Sequence, residues 1–363
     1  MKKRFACFAC TTPYQLMGAI SIVQEESIEA DLYLIGTFDG YKEVAERLES
    51  YHIFNKIIPV SSERNRNVNR FKVIWQVLRR RKIAKSFLEP NLTYQYYFSS
   101  SKAYVKLFLF YELRRRNPLI NYVIYEDGTG TYSKYAPSLN SSNFTRLFEF
   151  ITLEKVFKPE LTSIMVHFPK LLWLPDDIRG IPARAMPSFD LSDNNKRMLQ
   201  DVFGMAKGDS VHAKIILFDT ARGVYRKDTT DIGKLDECFK CVVDIFPQHD
   251  VILKAHPKSN ETTSLPILIY EHSEIPMEVL YSEMTDLDDC ILIGNHTTAL
   301  YTPKMMFGKE PIIISLHEIV WSSKPQISII FERFKSMYER KERAFAPKDV
   351  EELKKYLSQL CQK

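Results

Sequence analysis

Short apolar runs, each closed by a turn and followed by a helix-period segment, repeat along this chain and restrict it to one fold class. Arg4 to Cys10, Asp31 to Gly36, Lys56 to Val60, Tyr94 to Ser99 and Tyr122 to Tyr125 read as strands. Helical stretches lie between them: Leu16 to Glu25, Tyr41 to Tyr51, the basic segment Arg64 to Leu88, and Ala103 to Arg116. Pro13 falls near the start of the first, where its missing N–H removes no helical bond. Such alternation predicts an α/β protein with a mostly parallel, doubly wound sheet. From Pro137 to Pro187 the rhythm breaks, and Pro159, Pro169, Pro175 and Pro182 recur. It resumes with helix Ser192 to Phe203 and strand Ala213 to Phe218, then helix Lys234 to Phe246 and strand Val251 to Lys254. Strand Ile267 to Tyr270, helix Pro276 to Glu283, strand Cys290 to Ile293, helix Thr298 to Phe307, strand Pro311 to Ser315 and a helix from Pro347 follow. Two Rossmann-like domains with a cleft between them are expected, residues 1–185 and 186–363. The length of 363 residues and the 45% hydrophobic content are enough for two cores.

The net charge of +5 is mildly basic and does not point to nucleic acid. Six cysteines include two C-x-x-C pairs, Cys7/Cys10 and Cys238/Cys241, so zinc must be weighed. Cys7 and Cys10 lie on a strand and would face opposite ways. Cys238 and Cys241 lie on a helix, and reduced core thiols are the expectation for both pairs. Phe5 to Ala9 is too short an apolar run for a signal peptide, and no apolar segment of ~20 residues could span a membrane. A cytoplasmic protein is expected. The segment Arg64 to Lys85, with Arg79-Arg80-Arg81-Lys82 among Phe71, Ile74, Trp75, Val77 and Leu78, suits an anionic membrane surface or a solvated helix packed by its apolar face. Peripheral contact with the inner face of the cell membrane is therefore weighed beside a purely structural role.

Three stretches carry candidate chemistry. In Ile124-Tyr125-Glu126-Asp127-Gly128-Thr129-Gly130-Thr131-Tyr132, two carboxylates sit where a strand ends, and glycines let the backbone turn. In an open α/β sheet that end faces the ligand crevice, so a carboxylate there is a candidate general base. The bland alternative is an acidic turn that caps a helix. In Lys254-Ala255-His256-Pro257, a strand end presents a histidine that can protonate or hydrogen-bond a leaving phosphate. In Ile293-Gly294-Asn295-His296-Thr297-Thr298, hydroxyls arrive where a helix begins, which is an anion site or a plain Thr cap. Glu278, early in its helix, suits the helix dipole or a ribose diol.

Glu-Asp-Gly, then His-Pro, then a hydroxyl pair after a strand resembles the bacterial sialyltransferases. Together with the Thr-Pro-Tyr-Gln-Leu turn at Thr12 to Leu16 and the chain length, the pattern is most similar to the lipooligosaccharide sialyltransferases, glycosyltransferase family 52. The resemblance implies the GT-B type of architecture, with an acceptor-binding first domain and a nucleotide-sugar-binding second domain. It implies Asp127 as the base and His256 as the acid. Lys254, Pro257, Glu278, Thr297 and Thr298 would hold the nucleotide and its phosphate, and Thr12, Tyr14, Gln15, Gly128 and Thr129 would touch acceptor or donor. It implies an inverting transfer of sialic acid from CMP-sialic acid to a terminal galactoside of a surface glycan or glycolipid, in α-2,3 or α-2,6 linkage, with no cofactor and no divalent metal. Threonine stands at both positions where a related pattern has serine.

A nucleoside monophosphate leaving group can be met by hydroxyls, a helix end and a histidine without a metal. Asp286-Leu287-Asp288 has the spacing of a metal motif, but it precedes a strand, so it reads as the turn into Cys290 to Ile293. A glucosyl- or other hexosyltransferase of the same family, a nucleotide-sugar epimerase, and a non-catalytic sugar-nucleotide or glycan-binding protein remain as alternatives. A homodimer is compatible with the sequence, and no nucleic-acid partner is expected.

Overall fold

The computed structural model describes residues 5–61, 70–90, 92–100, 104–134, 136, 143–152, 161–206, 209, 211–222, 230–321 and 325–362. The chain divides into two compact units, Met1–Asp190 and Leu191–Lys363. The first unit contains β1 (Phe5–Cys10), β2 (Glu29–Ile35), β3 (Lys56–Val60), β4 (Tyr96–Ser99), β5 (Asn121–Tyr125), β6 (Leu161–Val166) and β7 (Ala183–Ala185). They form one sheet in the order β3-β2-β1-β4-β5-β6-β7, and every pairing is parallel. Parallel strands need crossovers, and helices such as Pro13–Glu26 and Tyr104–Arg116 supply them. The strands are therefore covered on both faces, which is why Ala6 to Cys10 are all buried.

The second unit contains β8 (Ile215–Phe218), β9 (Val251–Lys254), β10 (Leu268–Ile269), β11 (Ile291–Gly294), β12 (Ile312–Ser315) and β13 (Ala344–Phe345). Its order is β10-β9-β8-β11-β12-β13, again all parallel. Numbered within each unit, the first six strands follow 3-2-1-4-5-6 in both. Both units are thus Rossmann-like, and each has its switch point beside its first strand. Helix Ile232–Ile245 lays Leu235, Cys238, Phe239 and Val242 on one face against Ile215, Leu217 and Leu253. Cys238 and Cys241 belong to this core, Cys7 and Cys10 are buried in β1, and all six thiols are free.

Two expectations change. The long basic helix is two helices, Arg70–Leu78 and Arg80–Lys85, and residues 64–69 of that segment lie outside the described residues. The proline-rich interval holds two further strands of the sheet, β6 and β7. Thr162 and Ser163 follow Leu161 at the start of β6 and weaken its apolar pattern. Pairing with β5 nevertheless recruits it into the sheet. Among the described residues no helix is long and apolar enough to cross a membrane.

Gly294 pairs with Phe218 in the β11–β8 ladder. A Cβ there would lie 2.9 Å from the Phe218 Cβ and 3.2 Å from its carbonyl oxygen. Gly294→Ala should lower stability by about 1–3 kcal/mol, read from urea unfolding. An unchanged midpoint would contradict this close strand approach.

Candidate active site

β5 ends at Tyr125, and the next two residues send their side chains to different surroundings. Glu126 is 0% exposed. Its carboxylate accepts from the hydroxyls of Tyr14 and Tyr132, and from the backbone N–H of His167 at 2.9 Å. Burial pushes its pKa up to about 7, against the pull of the two tyrosines and the His167 amide. The neighbouring charge of Asp127 adds to the rise. Asp127 is only half-buried. Its backbone N–H donates to Thr131 Oγ1 at 2.9 Å, and its Oδ1 accepts from Gln15 Nε2.

Gln15 is fully buried at the start of helix Pro13–Glu26. Its Oε1 accepts from the Thr11 N–H at 2.8 Å, the Thr11 hydroxyl at 2.9 Å and Lys106 Nζ at 3.0 Å. Three donors on one end fix the amide orientation, so its NH₂ must face Asp127. Lys106 also donates to Ser100 Oγ at 3.2 Å, just past the end of β4. Burial pushes its ammonium down to about 8, and the fields of Asp127 and Cys10 oppose that shift. A cation beneath the switch point is thus linked to Asp127 through one amide.

Gly128 has φ 74° and ψ −163°, a region that only glycine enters readily. This turn leads into the short 3₁₀ helix Thr129–Tyr132, and the Thr131 N–H closes on the Gly128 carbonyl at 3.0 Å. It places Thr131 over Asp127 and Tyr132 over Glu126. His167, the residue after β6, joins the same edge. Among the described residues its Nε2 is buried with no hydrogen-bond partner, and burial pushes its pKa down to about 3.

The residues expected to touch substrate at the β1 and β5 turns also make bonds within the protein. Tyr14 and Gln15 are buried beneath the two carboxylates. Thr12 Oγ1 caps its helix by accepting from the Gln15 N–H at 3.2 Å, and Thr129 is buried. Gly128 shapes the turn. For Tyr14 and Gln15 the reason is that an acidic pair at a strand end needs nearby donors, and the β1 turn is the adjacent source.

In the second unit, His256 follows β9 by two residues. Its Nδ1 accepts from the Lys258 N–H at 3.1 Å, and its carbonyl accepts from the Ser259 N–H at 2.8 Å. This puts the proton of the neutral ring on Nε2, which makes that nitrogen a donor. The loop is anchored by Arg222. The Arg222 N–H donates to Ser259 Oγ at 3.1 Å, and its carbonyl accepts from the Asn260 N–H at 3.1 Å. Its guanidinium donates to Asp219 from Nε at 2.7 Å and to Asp236 at 2.5 and 3.0 Å. Asp219 directly follows β8, so the His256 loop hangs on the switch point.

Lys254 Nζ donates to the His272 carbonyl at 2.7 Å and lies 4.8 Å from the Tyr270 ring centroid. Burial pushes it down to about 8, with Glu274 and Glu278 opposing. Lys254 is thus a buried cation whose ammonium is anchored on the His272 carbonyl. Glu278 lies in the first turn of helix Met277–Glu283 and is half-buried; desolvation raises its pKa while its own amide and Lys254 oppose the rise. Pro257 follows His256 and lacks an N–H to offer. Thr297 caps a 3₁₀ turn, Thr298–Leu300, and a separate helix Thr302–Phe307 follows. Pro303 cannot donate to the preceding turn, which breaks the continuous helix expected from Thr298. Thr297 and Thr298 are half-buried beside His296, whose backbone N–H donates to Asn295 Oδ1 at 2.8 Å. Asp288 accepts from the Glu310 N–H at 2.6 Å and pairs with Lys309 at 3.2 Å, so this carboxylate of the Asp286-Leu287-Asp288 run holds a turn.

Sequence reasoning missed Lys106, Tyr132, His167 and the Arg222 cluster. Lys106 had a signal, as a single cation inside the apolar run Tyr104 to Tyr111. In the Arg222 cluster Asp219 is three residues away in sequence, but Asp236 and Ser259 are brought to it only by the fold.

The sequence matches no family model and no curated protein. Among solved structures, Arabidopsis thaliana UGT89C1 complexed with UDP matches with a TM-score of 0.48 and 10% identity, over 99% of this chain and 100% of that one. LpCGTa in complex with UDP matches with a TM-score of 0.48 and 8% identity, over 99% of this chain and 91% of that one.

The environment of Glu126 gives a pH test. Its folded-state pKa, about 7, lies above the ordinary 4.5, so the protonated carboxyl favours the fold. That contribution is complete below the unfolded pKa and is lost as pH rises through about 7. The stability advantage of wild type over Glu126→Gln should therefore shrink by roughly 2–3 kcal/mol between pH ~5 and ~8. Urea unfolding of both proteins measures it, and a gap that stays constant or widens would refute the assignment.

Proposed function

We propose that this protein is an inverting, metal-independent glycosyltransferase, and within that class a sialyltransferase acting from CMP-sialic acid on a galactoside. The observation that carries the reading is the split between two adjacent carboxylates. Glu126 is locked by three donors below the surface, while Asp127 is held by one fixed amide at the carboxyl edge of the sheet. A base must reach the proton it takes, and of the pair only Asp127 is partly exposed. His256, with its proton on Nε2, supports a site that receives phosphate charge in the second unit.

In this reading the first unit binds the acceptor and the second binds the nucleotide. Asp127 takes the proton of the galactose hydroxyl as its oxygen attacks the anomeric carbon. The bond from that carbon to the phosphate oxygen breaks on the opposite face, so the configuration inverts. CMP leaves with the bonding electrons, and His256 Nε2–H and the hydroxyls of Thr297 and Thr298 meet its charge. Glu278 is assigned to the ribose. As arranged, His256 stabilises the phosphate by hydrogen bonding, since loss of the Nε2 proton from a neutral ring would leave an anion. A hexosyl donor on the same machinery is the second reading, and a hydrolysis screen across CMP-, UDP- and GDP-sugars with and without galactoside separates the two.

Asp127→Asn should lose about 10²–10⁴-fold in kcat with CMP affinity nearly unchanged, whereas Glu126→Gln should keep more activity if folded. Initial rates with a lactoside and calorimetry with CMP measure both. A dead Glu126→Gln beside an active Asp127→Asn would reverse the roles. Activity should also survive EDTA, and complete loss restored by Mn²⁺ or Mg²⁺ would contradict a metal-independent leaving group.

A further inference from the structure

Helices Arg70–Leu78 and Arg80–Lys85 rest on the first unit by a definite inner side. Val77, Ala84 and Leu88 are buried there, and the Arg80 guanidinium lies 4.9 Å from the Tyr111 ring centroid and 5.8 Å from that of Phe148. With the inner side filled, the outer side of a solvated helix should be polar. It is not. Trp75 is 53% exposed and Leu78 is 64% exposed, with Ile74 beside them. Trp75, Leu78 and Arg79 stand at helical spacings of three and four, and the Arg79 guanidinium lies 4.3 Å from the Trp75 ring centroid. Arg81, Lys82 and Lys85 are exposed along the same segment. On the adjoining helix Asn143–Thr152, Phe150 is 79% exposed and Arg146 is exposed as well. From Arg64 through Leu88 the sequence has nine Lys and Arg and no Asp or Glu.

We infer that this surface docks on an anionic lipid bilayer. The exposed apolar side chains are what separate a bilayer from other anionic partners. Nucleic acid would use the cations, but Ile74 and Leu78 offer nothing to a phosphate backbone and stack poorly on bases. A second copy presenting the same patch would be repelled by its charge. A bilayer interface takes both components: Trp75, Leu78 and Ile74 enter at headgroup depth, while Arg79, Arg81, Lys82 and Lys85 reach the phosphates on long stems. The inference stands without the proposed reaction, because it rests on none of the residues assigned to it.

The test is cosedimentation of the full chain with vesicles of phosphatidylcholine alone or mixed with phosphatidylglycerol, at low and high salt. Binding to the anionic vesicles should exceed binding to the neutral ones by at least about tenfold and should weaken with salt. Two variants, Trp75→Ser/Leu78→Ser and Arg79→Gln/Arg81→Gln/Lys82→Gln, should each reduce it about tenfold or more while leaving the melting temperature unchanged. The chain has three tryptophans. A vesicle-induced blue shift of wild-type fluorescence should therefore vanish in Trp75→Phe. Absence of wild-type binding, equal binding to neutral vesicles, or full binding by the Trp75/Leu78 variant would each overturn the inference. Tighter binding to single-stranded RNA, unaffected by the apolar variant, would do so as well.

Discussion

The Gln15 side-chain amide is the contact on which the first unit's site depends. Its oxygen gathers Thr11 from the end of β1 and Lys106 from helix Tyr104–Arg116, and its nitrogen holds Asp127 past the end of β5. Three segments far apart in sequence therefore meet at one planar group. An amide has one acceptor end and one donor end, so saturating the oxygen leaves only one way to face the carboxylate. Without it, Lys106 would be a buried cation lacking its main partner, and Asp127 would lose the group that sets its direction. Tyr14, one residue earlier on the same helix, does the equivalent for Glu126. One helical turn thus serves two adjacent carboxylates.

The second unit solves a related problem with charge. Arg222 joins Asp219 at the end of β8 to Asp236 on helix Ile232–Ile245, and its backbone receives Ser259 and Asn260 from the His256 loop. Thr263 adds a bond to Asp236 at 3.0 Å. Buried ion pairs give little net stability, but breaking one leaves an uncompensated charge. The cluster therefore fixes the geometry of the loop more than it adds to stability. The same strand order in both units places these clusters at corresponding edges, each next to a switch point.

Much of this was legible in the sequence. Strand–helix alternation gave the parallel sheets, because apolar runs such as Val251 to Lys254 and Ile291 to Gly294 are buried on both faces and leave a plain signal. The opposite fates of Glu126 and Asp127 followed from the two-residue strand period. What could not be read was partnership. Tyr14 and Gln15 were implied as substrate contacts by the family resemblance alone. Only the register of β1 against β4, and of β4 against β5, shows that they sit under the carboxylates. β6 escaped notice since Thr162 and Ser163 dilute its pattern, and His167 escaped with it. The outward position of Trp75 and Leu78 was equally hidden, as composition does not say which side of a helix is already filled.

We propose a division of labour: a carboxylate in the first unit for the acceptor, and the His256 and Thr297 loops in the second for the nucleotide. Hydrogen–deuterium exchange of the whole protein with saturating CMP tests it directly. The account predicts slowed exchange in the segments around Lys254 to Asn260, Glu274 to Leu280 and Asn295 to Tyr301, with Glu126 to Tyr132 unchanged. Protection confined to Glu126 to Tyr132, or none in the second unit with CMP, UDP or GDP, would contradict it.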